Sequence, residues 1–336
     1  MLATYEQTED FLLVRDLHVS FRDGKQETEV IRGIDLELAR GEAVGLVGES
    51  GSGKSVTGRA LMGILDPSRA RVSAAHMSLG GVDLGVNSRS ARKSDRRAPI
   101  AMIFQNPFTS LNPVCTIGDF LREVIRRNLG LRGKDARRKA IELLDAVRIP
   151  NASARLRSFP HELSGGQQQR VVIAIALALE PELLIADEPT TALDVTVQAE
   201  IVGLLSDLQR ERQMSVLFIS HDLSLISDIA SRVYVMYAGK IVEDGPREVM
   251  TGGARMPYTR GLTAASPSVH QRLPMLITIP GSPPMGGHFP SGCAFRTRCP
   301  LATEICAVEV PPLFHVGEDH KAACLHLDHS EEAFSS

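Results

Sequence analysis

The stretch "AVGLVGESGSGKSVTGRALMGIL", which starts at Ala43, constrains the fold more than any other part of this chain. "AVGLVG" reads as a short buried strand and "VTGRALMGIL" as a helix, and the octet between them, "GESGSGKS", satisfies G-x-x-x-x-G-K-[ST]. Strand, loop and helix in that order open an α/β unit. Gly48, Ser50, Gly51 and Gly53 let successive backbone N–H groups curl around phosphate oxygens, Lys54 reaches the outer phosphates, and the Ser55 hydroxyl can ligate Mg²⁺.

Two later stretches supply matching chemistry. In "LLIADE" an apolar strand ends on Asp187 and Glu188, at the strand end where open α/β sheets hold their ligands. Asp187 can hold Mg²⁺ through water, and Glu188 can polarise an attacking water for in-line phosphoryl transfer. By themselves two acids ending a strand read as a solvated turn, and the glycine loop gives them a task. In "LSGGQQQR", Ser164 followed three residues later by Gln167 is a capping box that starts the helix "VVIAIALAL". Gly165 and Gly166 leave bare N–H groups at the positive end of that helix, which suits an anion.

The remaining pattern predicts an α/β fold with added parts. "FLLVRDLHVSF" and "VIRGIDLEL" alternate with period two and predict an antiparallel sheet with one wet face. From about Thr116 to Ile149 the periodicity is helical. Strand and helix then alternate through "ELLIADE", "TVQAEIVGLLSDLQRER", "SVLFIS" and "LSLISDIAS", which predicts a mostly parallel, doubly wound sheet closed by the hairpin "RVYVMYAGKIVEDG". After Gly252, Pro and Gly become frequent and the period fades. The expected organisation is a core domain over 1–252, with a helical insertion at about 106–180, and a loop-rich appendage over 253–336 that ends in a frayed "HSEEAFSS".

Composition excludes other classes. A net charge of −3, no Trp and only 4% aromatic residues argue against a nucleic-acid surface, so "SARKSDRR" and "RRNLGLRGKDARRK" read as solvated faces. The acidic N-terminus lacks a secretory apolar region, and the longest apolar run, Val171 to Leu179, is far below the ~20 residues that span a bilayer. A cytosolic protein that touches a membrane only through partners is expected.

The glycine loop (Walker A), the acid-ended strand (Walker B) and "LSGGQ" together resemble the nucleotide-binding subunits of ATP-binding-cassette (ABC) transporters, over roughly residues 11 to 250. The resemblance implies an ATPase core in which Ser164, Gly165, Gly166 and Gln167 face the γ-phosphate of ATP held on a second subunit. It further implies that Gln105 in "IFQNP" joins the Mg²⁺ site of Ser55 and Asp187 to the helical insertion. Asp194 in "TALD" would cross the dimer interface, His221 in "LFISHD" would sit near the γ-phosphate, and Phe21 would stack on adenine. Glu188, His221 and Gln105 are then the catalytic set.

The tail "PYTRGLTAASP" with "GCAFRTRCPLATEIC" resembles the C-terminal extension of dipeptide/oligopeptide importer ATPases. That implies a homologous but different second ATPase subunit, two membrane permeases, an extracytoplasmic substrate-binding protein and a place on the cytoplasmic face of the inner membrane. Peptides are the implied cargo; nickel chelates, opines, glutathione and sugars are carried by related importers. The alternatives are a soluble cassette ATPase acting on DNA or ribosomes and an ATP-binding regulatory subunit that does not hydrolyse, which the intact Glu188 and His221 disfavour.

Cys293, Cys299, Cys306 and Cys324 crowd the last fifth of the chain, which in a reducing compartment reads as metal binding before disulfides. Four thiolates suit a [4Fe–4S] cluster, and the subfamily resemblance points the same way. Zn²⁺ is the rival, although gaps of five, six and seventeen residues are unlike the short knuckles of zinc sites. Cys115, far away in sequence, is expected to be a small buried residue.

Overall fold

The computed structural model describes residues 10–24, 26–85, 100–106, 110–191, 193–265 and 278–328; "SARKSDRR" and the terminal "HSEEAFSS" lie outside them. The chain divides into two compact units, one made of 1–96 and 218–336 and the other of 97–217.

The first unit opens with strands β1 (Asp10–Asp23) and β2 (Gln26–Ala39), paired antiparallel as their alternation predicts. Leu12, Val14, Leu17, Ile34, Leu36 and Leu38 are buried on the inner face. The pairing shifts register between Val14 and Leu17, and Asp16 has a φ of 51° there, so the long ribbon bends at a bulge. β3 (Ala43–Val47), buried at every position, leads through the glycine loop into α1 (Lys54–Leu61). β4 (Ala70–Ser73) and β5 (His76–Leu79) pair with β1, and β6 (Val82–Asp83) pairs with β5.

The second unit starts at β7 (Ile100–Ile103), which runs parallel to β8 (Leu183–Asp187). Between them the described residues are helical: α2 (Ile117–Leu129), α3 (Gly133–Ala146), the short α4 (Ala152–Arg155) and α5 (Gly165–Leu177). Thr116 and Asp119 cap α2 reciprocally, and Gly130 closes it at a φ of 69°, where a side chain would be strained. Ile117, Leu121 and Ile125 of α2, Leu143 and Leu144 of α3, and Ile173 of α5 are buried, which is what the helical spacing of apolar residues is for. α6 (Val195–Arg212) follows β8, and β9 (Ser215–Ser220) carries the chain back into the first unit.

There α7 (Leu223–Ser227) precedes the hairpin of β10 (Arg232–Tyr237) and β11 (Lys240–Pro246). β10 runs parallel to β3 and antiparallel to β11, so the hairpin closes the sheet as expected and makes it mixed at that edge. Two short helices, α8 (Arg247–Gly252) and α9 (Pro257–Ala265), lead into the C-terminal segment with α10 (Ile305–Val308), β12 (Phe314–Gly317) and β13 (His320–Ala322).

This segment differs from the separate appendage expected. β13 pairs antiparallel with β11, Glu243 opposite Ala322, and β12 pairs with β13, so the segment extends the sheet of the first unit. The fully buried Glu243 carboxylate accepts hydrogen bonds from Met256 N–H (3.2 Å) and Arg255 N–H (2.5 Å) and lies 2.9 Å from His320 Nε2, tying β11 and β13 to the turn before α9. A buried carboxylate is tolerated where it is satisfied in this way. Strands of three and four residues carry too little alternation to be read in advance.

Candidate nucleotide-binding site

The candidate residues fall on both units, and each set has its own local logic. In the first unit the glycine loop, residues 48–55, turns where β3 meets α1. Gly53 stands at a φ of 112°, and a Cβ there would come within 2.5 Å of Ile31 Cδ1 and 2.8 Å of Met236 Cε. A Cβ on Gly48 would lie 2.1 Å from the Met236 carbonyl oxygen. The loop is therefore pressed against β2 and β10, and only glycine fits at these two positions. Lys54 is 4% exposed, and its ammonium donates to the carbonyls of Gly48 (2.6 Å) and Glu49 (2.9 Å), which keeps it over the loop. No acidic residue stands in the first turn of α1, so the positive helix end is left uncancelled. Ser50 and Gly51 are exposed at the tip and Ser55 is half-buried.

The other first-unit candidates are placed less tightly. Phe21 is a half-buried residue of β1 opposite Thr28 and Ala70, so it is not consumed by the core. His221 is exposed directly after β9, and the next residue, Asp222, caps α7 by accepting from Ser224 N–H (2.9 Å).

In the second unit Asp187 ends β8 at 1% exposure. Glu188 follows in the left-handed region, with a φ of 46°, a conformation that costs energy for a residue with a side chain and that clusters at functional sites. Its carboxylate accepts from Gln105 Nε2 (2.8 Å) and from Thr191 Oγ1 (2.9 Å). The structure thus joins Gln105 to the proposed base, and it adds Thr191, the first residue of "TALD", whose hydroxyl carries no signal of its own in the sequence.

The "LSGGQ" helix start is as the sequence predicts: Ser164 Oγ accepts from Gln167 N–H (3.3 Å) and Gln167 Oε1 accepts from Ser164 N–H (3.2 Å). Ser164 is exposed, and Gly165 and Gly166 open α5 with half-buried backbone. Gly166 also has a packing reason, because a Cβ there would come within 2.7 Å of Val197 Cγ1 on α6. Asp194 caps α6 through Val197 N–H (3.0 Å), while its neighbour Ala192 lies outside the described residues.

The cysteines bear on two expectations. Cys115 is half-buried rather than buried. Burial pushes the Cys299 thiol up to about 11, and the thiols of Cys324, Cys293 and Cys306 add to the rise. Burial likewise raises Cys293 and Cys324. The four therefore share one electrostatic neighbourhood. Yet among the described residues no group of three or more His, Cys, Asp or Glu side chains is arranged to hold a metal ion, so the expected [4Fe–4S] or Zn²⁺ ligand set is not met by this arrangement. The sulfurs engage local partners instead: Cys306 Sγ lies 3.7 Å from Thr303 Oγ1, and Cys324 Sγ accepts from His326 N–H (3.3 Å).

A glycine loop with its lysine between strand and helix, a strand ending in two acids and a capped double-glycine helix define a P-loop ATPase of the cassette class. Comparison with known proteins agrees. Residues 31–191 match the model of the ABC transporter family, and residues 242–306 match that of the oligopeptide/dipeptide transporter C-terminal region. A putative peptide import ATP-binding protein of Brucella ovis is 45% identical over 93% of this chain and 96% of its own length. Another, of Brucella abortus, is 47% identical over 91% of this chain and 92% of its own. Among solved structures, cbiO1 of Clostridium perfringens, part of the ABC transporter complex cbiONQ, aligns with a TM-score of 0.60 at 27% identity, covering 72% of this chain and 91% of that one. The dimeric ATP-binding cassette MJ0796, bound to ADP and Pi in a post-hydrolysis state, also aligns with a TM-score of 0.60, at 26% identity over 70% of this chain and 98% of its own. The chain belongs to the ABC transporter family, in the group that carries the oligopeptide/dipeptide transporter C-terminal region.

Proposed function

We propose that this chain is the ATP-hydrolysing subunit of a bacterial importer for di- and oligopeptides. The observation that carries the reading is the Glu188 carboxylate, strained in backbone and oriented by Gln105 and Thr191, in a chain that also holds an intact phosphate loop. The peptide cargo is supported by the match of the C-terminal region and by the names of the Brucella relatives.

In this reading backbone N–H groups of the loop other than those of Glu49 and Ser52, together with the Lys54 ammonium, hold the phosphates, Ser55, Gln105 and Asp187 hold Mg²⁺, and Phe21 packs on the base. Glu188 takes the proton from the attacking water, and His221 donates toward the γ-phosphate. Mg²⁺ supplies charge neutralisation on the phosphate oxygens when bound. Ser164, Gly165, Gly166 and Gln167, with Asp194, serve the ATP of a second, homologous ATPase subunit, so hydrolysis needs a pair of cassettes. Two permeases and an extracytoplasmic binding protein complete the transporter. In this reading the permeases hold the chain at the cytoplasmic face of the inner membrane; no helix among the described residues is long and apolar enough to cross a membrane.

The finer reading of the C-terminal cysteines is a Cys₄ group drawn together in the metal-loaded protein, [4Fe–4S] before Zn²⁺. It is supported by four thiols in one electrostatic neighbourhood; against it stands the arrangement above, which groups no three. Anaerobically purified full chain is expected to be brown, with roughly four irons as Cys₄ ligation of such a cluster implies. Colourless protein with one zinc would replace the cluster by Zn²⁺, and neither metal would remove the site.

The functional reading itself is tested on the assembled transporter by measuring ATP hydrolysis with the binding protein added empty or loaded. Stimulation by the peptide-loaded form is expected. Stimulation only by a nickel chelate, an opine, glutathione or a sugar would overturn the peptide assignment while leaving the ATPase in place.

A further inference from the structure

The segment that carries the cysteines reaches into the phosphate loop at one residue. Glu49, the second residue of the octet, receives a two-pronged grip from Arg298: Nη1 lies 2.5 Å from Oε2 and Nη2 lies 2.9 Å from Oε1. The Arg298 side chain is 3% exposed and that of Glu49 24%. Arg298 is itself fixed, with Nε donating to the Pro280 carbonyl (2.8 Å) and Nη1 lying 3.4 Å from Tyr237 Oη. A second contact comes from α9, where Tyr258 Oη accepts the Glu49 N–H at 2.8 Å. Behind both, the rings of Tyr237, Tyr258 and Phe295 form a buried triangle, with centroids 4.5 Å apart for the tyrosine pair and 5.3 Å for each pair with Phe295. Cys293 and Cys299 flank Phe295 and Arg298 in the sequence.

Packing alone does not explain this arrangement. A carboxylate in a loop whose work is to surround phosphates opposes that work, because it adds negative charge beside an anionic ligand. A planar guanidinium matched to both its oxygens cancels the charge and fixes the side chain in one direction. The Tyr258 hydroxyl meanwhile takes up the Glu49 N–H and sets the orientation of the first peptide of the loop.

We infer that Arg298 and Tyr258 are positioning residues for the phosphate loop: they neutralise and orient Glu49, so that the cysteine-bearing segment sets the affinity for ATP. The inference rests on the ATPase reading above for its ligand and extends it to a region that reading leaves without a part in nucleotide binding.

The test compares full-length wild type with Arg298→Ala, Arg298→Lys, Tyr258→Phe and the double variant Glu49→Gln with Arg298→Ala. Three quantities are read: the affinity for a fluorescent ATP analogue at two salt concentrations, KM and kcat in the assembled transporter, and amide hydrogen exchange over residues 48–55. Loss of a charge-assisted pair is expected to weaken ATP binding roughly tenfold in Arg298→Ala, less at high salt, with KM raised and kcat little changed. Arg298→Lys restores part of the affinity because it keeps the charge. The double variant recovers most of it because the uncompensated carboxylate is gone. Tyr258→Phe keeps the ring triangle and is expected to raise exchange at the start of the loop. A purely structural role would lower the melting temperature of Arg298→Ala with no recovery in the double variant. That result, or unchanged affinity and exchange in every variant, overturns the inference. A wild-type chain that binds no ATP would instead overturn the ATPase reading, and the exchange measurement would still decide whether Arg298 orders the loop.

Discussion

Glu188→Gln is expected to bind ATP as the wild type does and to turn it over about 10²–10⁴ times more slowly, the range that a positioned base contributes. The geometry makes the substitution unusually clean. The carboxylate is held by Gln105 Nε2 at 2.8 Å and by Thr191 Oγ1 at 2.9 Å, and a glutamine can offer its carbonyl oxygen to either donor. The backbone at 188, with a φ of 46°, has no reason to move. What disappears is the capacity to take a proton from water. The variant should therefore accumulate with ATP trapped between two cassettes, visible as a nucleotide-dependent dimer in light scattering. Wild-type steady-state phosphate release would remove Glu188 from the role of base. Thr191→Ala should give a weaker form of the same defect, since Gln105 still holds the carboxylate.

The second large effect is expected at Lys54. Its side chain is 4% exposed and its ammonium lies 2.6 Å and 2.9 Å from the carbonyls of Gly48 and Glu49. A full positive charge held over the loop is the strongest single attraction the loop offers to a phosphate. Lys54→Ala removes a hydrogen bond to a charged group, a change of about 1.5–3 kcal/mol, or roughly ten- to 150-fold in ATP affinity. The same change deprives two loop carbonyls of a donor, so a lower melting temperature is expected without ligand. The separating observation is the gain in melting temperature on adding Mg·ATP, which the wild type should show and Lys54→Ala should largely lose. An equal gain in both proteins would contradict the assignment of Lys54.

Much of this was legible in the sequence because it is local. The β1–β2 ribbon, the glycine loop and the long helices α2, α3 and α6 announce themselves by periods of two or 3.6 residues sustained over many positions. The cap of α5 is written in a Ser and a Gln three residues apart. The features that stayed hidden have a different physical origin. β6, β12 and β13 are two to four residues long and are specified by their neighbours in the sheet rather than by their own pattern. The segment after α9 is loop-rich as expected, but the antiparallel pairing of β11 with β13 ties it to the sheet rather than leaving it a separate appendage.

Long-range pairs leave no period at all. Gln105 and Glu188 are 83 residues apart, and Glu49 and Arg298 are 249 apart. The first pair joins residues that a family resemblance had already singled out. The second joins two that nothing in the linear sequence connects, since Glu49 occupies a variable position of the octet motif and Arg298 reads as one more basic residue of a loop. The cysteines mark the opposite limit: a sequence can supply four donors, but convergence is a matter of geometry, and the arrangement described leaves them with local partners.

The central claim is that ATP spent by this chain drives peptides inward. Vesicles containing the two permeases and both ATPase subunits, with Mg·ATP on the side of the cassettes and peptide-loaded binding protein on the other, test it most directly by the accumulation of labelled peptide. The account predicts accumulation against a gradient that requires ATP and is abolished by Glu188→Gln. Accumulation that proceeds equally with the Glu188→Gln chain, or ATP hydrolysis that moves no peptide, would contradict it.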